Sequence, residues 1–163
     1  HVPQTKEVLS KETAYVTVNL MEGVTQGGSG TRLRGTWAGG SDHYKRAVTG
    51  YPYDFKNPIA GKTGTTQNQS DGWFMGMVPN LVTGVWVGGE DRAVHFPGIT
   101  YGQGATMALP IWGIYMKKVY ANKDLDVSSG DFPRPDNLSI ETNCNLYNRY
   151  NSEDQRIPDE LEF

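Results

Sequence analysis

Ala60-Gly61-Lys62-Thr63-Gly64-Thr65-Thr66, then after Gln67-Asn68-Gln69-Ser70 the run Asp71-Gly72-Trp73-Phe74-Met75-Gly76-Met77-Val78-Pro79-Asn80-Leu81-Val82-Thr83-Gly84-Val85-Trp86-Val87-Gly88, is the part of the chain whose reading decides the fold. It is rich in β-branched and aromatic residues and is punctuated by Asp71-Gly72 and by Pro79-Asn80, both turn signals. Three strands follow from it: Ile59 to Thr66, Trp73 to Val78 and Leu81 to Val87. Connections this short join neighbours that run antiparallel, so the expected arrangement is a meander.

Outward from the strands, helical spacing takes over on both sides. Upstream, Ala14, Tyr15, Val18, Met21 and Val24 recur at three- and four-residue steps, which predicts a helix from Ser10 to about Val24 with one buried face. Ser10 is placed to cap it, Leu9 to staple it and Gly27-Gly28 to end it. Downstream, Gly104 to Ala121 is apolar on most sides and predicts a helix packed firmly on the sheet, with Pro110 kinking it or marking its effective start. Ser29 to Asn57 shows neither period and reads as a long, partly ordered connection. Trp73, Phe74, Trp86 and Trp112 are expected in the core between strands and helix.

Composition narrows the possible functions. The 163 residues fit one domain of common size, and 20 glycines with 9 prolines predict many turns. The longest nearly apolar run, Ala108 to Met116, falls far short of the ~20 residues needed to cross a bilayer, and no apolar leader opens the chain. One cysteine, Cys144, forms no internal disulfide and reads as a bystander, while His1, His43 and His95 are too scattered for a metal site. Residues 1–122 carry 11 Lys and Arg against 8 Asp and Glu, whereas 123–163 carry 4 against 10. This divides the chain into a domain portion, 1–122, and an acidic, proline-containing tail, 123–163. Lys45-Arg46 and Lys117-Lys118 are isolated pairs, which argues against nucleic acid as a partner.

Lys62-Thr63-Gly64 sits in a strand pattern. A phosphate-binding loop would need glycine where Lys56 stands, and a helix rather than a strand after it, so nucleotide binding is rejected. Gly28-Ser29-Gly30 and Gly102-Gln103-Gly104 lack the third glycine of a dinucleotide fingerprint. Glu90-Asp91 reads as a solvated loop rather than an acid–base pair.

The Lys62-Thr63-Gly64 element together with Asp71 to Gly88 resembles the corresponding strands of class A penicillin-binding proteins. Val8 to Tyr15 and Gly27 to Thr31 are similar to the helix and glycine loop that precede them in that family, and Gly102 to Trp112 to its C-terminal helix. The resemblance covers roughly residues 5–122. It implies peptidoglycan D,D-transpeptidation, in which a serine attacks the D-Ala-D-Ala end of a stem peptide and an amine resolves the acyl-enzyme, β-lactams trapping the same serine. It implies catalytic roles for Lys62, whose cation stabilises charge, and for Thr65, whose backbone N–H is one donor of the oxyanion hole. Thr63, Gly64, Thr65 and Thr66 are the implied substrate-binding residues. The Thr63 and Thr65 hydroxyls hydrogen-bond the substrate carboxylate, and Gly64 lets it approach the strand. No metal or other cofactor is implied. The implied location is the outer face of a bacterial inner membrane, with the parent protein anchored by a segment outside this chain.

The chain departs from that family in two motifs. No serine is followed three residues later by lysine, so the family's nucleophile motif is missing, and so is its Ser-x-Asn motif. Tyr120-Ala121-Asn122 imitates a variant of the latter but lies on the wrong side of Lys62. The expectation is therefore an α+β, transpeptidase-like fragment: a three-stranded antiparallel meander, part of a larger sheet, flanked by an N-terminal and a C-terminal helix and inactive alone. The upstream half of the same domain would be its partner, and its exposed sheet edge would promote self-association. The competing readings are a fragment of a β-lactamase-like serine hydrolase and a non-catalytic scaffold module.

Overall fold

A computed structural model describes residues 6–35, 45, 51–143 and 145–146. Cys144, His1, His43, most of the 36–50 connection and the tail beyond 146 lie outside the described residues. Helix α1 is Lys11–Gln26, followed by a short 3-10 turn, Thr31–Leu33. Strands β1 (Ala60–Thr65), β2 (Asp71–Val78) and β3 (Leu81–Gly88) come next, and helices α2 (Gly104–Met107) and α3 (Leu109–Ala121) complete the order. The sheet is an antiparallel meander in the order β1-β2-β3, with Lys62 opposite Met75 and Trp73 opposite Trp86.

Two compact units divide the chain, Thr17–Pro133 and a second made from His1–Val16 with Arg134–Phe163. The larger unit continues past Asn122, where the charge balance changes. There the Asn80 side chain, in the β2–β3 turn, donates to the Asp126 carbonyl and accepts from the Ser128 N–H. In the smaller unit Ser10 caps α1, its Oγ accepting from the Thr13 N–H at 3.1 Å. The Ser139 backbone N–H and hydroxyl both donate to the Glu12 carboxylate.

The core forms on one face of the sheet. Strand alternation turns Gly72, Phe74, Gly76 and Val78 inward, and Trp112, Leu109, Met116 and Val119 of α3 pack over them with Leu33, Tyr53, Phe55 and Ile59. Phe74 meets Trp112 edge-on at 5.2 Å, and the Trp112 indole N–H donates to Thr83 Oγ1 at 2.6 Å.

Three expectations need correction. Trp73 and Trp86 are not core: they lie side by side on the opposite face, 43% and 48% exposed, because α3 covers only the face that their neighbours occupy. Helix α1 buries only Thr25, with Ala14 exposed and Tyr15, Val18, Met21 and Val24 half-buried. The downstream helix is two helices broken at Ala108. Pro110, in the first turn of α3, has no N–H to lose there, and the outer residues Ile111 and Tyr115 are exposed.

Candidate functional site

Strand β1 is an edge strand. Its Lys62 and Thr65 are exposed and Thr63, Gly64 and Thr66 half-buried, so the Lys-Thr-Gly-Thr segment is reachable from solvent. It lines neither the cavity of about 300 Å³ beyond the end of β3, walled by Val87, Val94, Phe96 and Met107, nor the cavity of about 330 Å³ beside Tyr120.

Alternation along β1 separates the chemistry. Lys62 and Gly64 face the same way as their cross-strand partners Met75 and Trp73, whereas Thr63 and Thr65 face the helix side with Phe74 and Gly72. The Lys62 ammonium donates to the Thr63 carbonyl at 2.7 Å. Thr63 Oγ1 lies 2.6 Å from Ser29 Oγ, and Thr65 Oγ1 accepts the Gly104 N–H at 3.0 Å, keeping its own O–H to give away. The structure thus gathers Thr63 and Thr65 into one row of hydroxyls and leaves Lys62 across the strand from them.

Thr66 belongs to a different cluster, where β1 turns into β2. Its N–H donates to the Asp71 carbonyl, its Oγ1 accepts the Asp71 N–H at 2.9 Å, and Asn68 and Gln69 take left-handed backbone with φ of 60° and 51°. The Asp71 carboxylate faces Thr66 and Ser70 hydroxyls, each at 3.1 Å, and the Trp86 indole N–H, also at 3.1 Å. Desolvation pushes its pKa up. The hydrogen bonds from Ser70, Thr66 and Trp86, aided by the Arg92 charge, outweigh it and leave the pKa below the ordinary aspartate value. A folded-state pKa below the unfolded one means that this group's stabilisation is present above the ordinary value and is lost as pH falls through the lowered one. In an NMR pH titration the Trp86 indole N–H resonance should therefore move with a midpoint below that of a free aspartate, and Asp71→Asn should abolish the movement.

Sequence reading missed the groups that hold this edge in place. Arg32, buried, donates from Nη1 to the Ala105 carbonyl at 2.8 Å and Thr106 Oγ1 at 2.7 Å, tying the Thr31–Leu33 turn to α2. Arg34 donates to the Asn57 carbonyl at 2.6 Å and to Thr25 Oγ1 at 2.7 Å, and the Thr25 hydroxyl donates to the Ile59 carbonyl just before β1, also at 2.6 Å. Two arginines in an otherwise small and polar stretch were the available signal.

Among proteins of known sequence, the chain is 33% identical over 146 residues to Penicillin-binding protein 1A of Aquifex aeolicus, a match that covers 88% of this chain and 16% of that protein. It is 34% identical over 111 residues to Penicillin-binding protein 1A of Pseudomonas aeruginosa, covering 68% of this chain and 11% of that protein. No family profile matches it. Among solved structures, Penicillin-Binding Protein 1A from Haemophilus influenzae superposes with a TM-score of 0.53 and 28% identity, over 79% of this chain and 17% of that one. The chain therefore spans under a fifth of the length of these relatives. It is a homologue of the class A penicillin-binding proteins and matches a stretch of their transpeptidase domain.

Proposed function

We propose that β1 is the substrate-binding wall of a peptidoglycan D,D-transpeptidase site in the bacterial cell envelope. The observation that carries this reading is the row of Thr63 and Thr65 hydroxyls on an accessible edge strand. An extended stem peptide adds to the edge of β1 through main-chain hydrogen bonds, and its terminal carboxylate, or the acid group of a β-lactam, takes the two threonine O–H donors. Lys62 adds a cation to the same edge from the other face, and the Thr65 N–H serves as one donor to the developing oxyanion.

The nucleophile comes from outside this chain, because none of its serines precedes a lysine at the required spacing. In the complete site the serine hydroxyl adds to the penultimate D-Ala carbonyl, D-Ala leaves with a proton, and an acceptor amine displaces the serine to form the cross-link. The chain alone should bind without reacting. Incubation with a fluorescent penicillin followed by denaturing electrophoresis should leave it unlabelled, whereas an acylated serine anywhere in it would overturn this reading. The uncovered sheet edges also favour association with the upstream part of such a domain or with a second copy.

A further inference from the structure

We infer that Ser29 is a positioning residue for the substrate carboxylate, acting through Thr63; the inference rests on the reading of β1 as the substrate wall. Ser29 lies 34 positions before Thr63 in sequence, yet its Oγ is 2.6 Å from Thr63 Oγ1. It is the single side chain between Gly28 and Gly30, and backbone hydrogen bonds hold the loop on both sides of it.

The Gly28 N–H donates to the Gly23 carbonyl at 3.1 Å and the Gly30 N–H to the Val24 carbonyl at 2.9 Å, so the loop is laced to the last turn of α1. A Cβ at Gly28 would stand 3.0 Å from the Val24 carbonyl oxygen and one at Gly30 3.2 Å from it, which leaves glycine on both sides of Ser29. The next residues are fixed by Arg32 on α2 and by Arg34 on the Thr25 hydroxyl. The loop thereby presents one hydroxyl to the first of the two substrate threonines.

Two hydroxyls in contact hold two protons, of which one lies between them and one points away. With the Ser29 O–H donated to Thr63 Oγ1, the Thr63 O–H is the one that points away, toward an anion at the edge of β1 and beside the O–H of Thr65. Without Ser29 the Thr63 hydroxyl turns freely, and ordering it must be met from the binding energy of the ligand. The gain is of hydrogen-bond size, about five-fold in affinity.

The test uses the full chain with isotope-labelled threonine methyl groups, titrated by NMR with N-acetyl-D-alanyl-D-alanine and separately with its C-terminal amide. The expected result is a Thr63 methyl response in the unmodified chain. Ser29→Ala should raise the Kd for the acid about five-fold without changing that for the amide, and Ser29→Thr should restore it. In a Thr63→Val background Ser29→Ala should have no further effect, since the coupling runs through Thr63. Equal affinity of Ser29→Ala and the unmodified chain for the acid would overturn the positioning role while leaving β1 as the substrate wall. An equal loss for acid and amide would also overturn it, by showing a structural effect. No Thr63 response to the acid in the unmodified chain would remove the substrate wall itself, and this inference with it.

Discussion

Trp112→Ala should destabilise the larger unit by about 3–5 kcal/mol, a large share of the ~5–15 kcal/mol that holds a typical domain folded. Trp112 is fully buried, meets Phe74 and Phe55 edge-on at 5.2 and 6.2 Å, and bonds Thr83. It joins α3 to β2, β3 and the connection before β1 at once, and none of these can close the space left by an indole. Equilibrium urea unfolding checks the value. Trp112→Phe separates the two contributions: it keeps most of the apolar volume, leaves the Thr83 hydroxyl unpaired, and should cost less than half as much.

Gly104→Ala should have a comparable effect by the opposite route. A Cβ there would lie 2.2 Å from the Gly64 carbonyl oxygen and 2.4 Å from that of Trp73, both in the paired backbone of β1 and β2. Neither oxygen can yield without breaking the ladder, so α2 must move off the sheet and its Gly104 N–H must leave Thr65 Oγ1. A destabilisation of about 3 kcal/mol is expected. A shifted Thr65 amide resonance should accompany it, which places the damage at the proposed substrate wall. Gly98→Ala, where nothing lies within 4 Å of the added atom, should stay within about 0.5 kcal/mol of the parent. Equal costs at positions 98 and 104 would show that α2 does not bear on β1 in this way.

Much of the fold is legible in the residues. Asp71-Gly72 and Pro79-Asn80 mark the corners, and the strand limits read from them agree with β1, β2 and β3 to within two residues. Strand alternation alone does not say which face of the sheet is covered. Phe74 and Trp73 are adjacent, aromatic and equally strand-forming, and their opposite fates follow from the side on which α3 packs. The same gap explains α1, whose apolar stripe announces a helix without saying what covers it.

The candidate site divides in the same way. Residue pattern alone specifies the three strands, the cap at Ser10, the Lys62-Thr63-Gly64-Thr65 segment and the lack of a nucleophile spacing, because each depends on residues within a few positions of one another. It takes the folded chain to show that Lys62 and the two threonines Thr63 and Thr65 stand on opposite faces of β1, that Gly104 supports Thr65, and that Ser29 meets Thr63. Those contacts join residues 34 and 39 positions apart, and their geometry is set by the buried Arg32, the half-buried Arg34 and backbones packed too closely for any side chain but glycine's hydrogen.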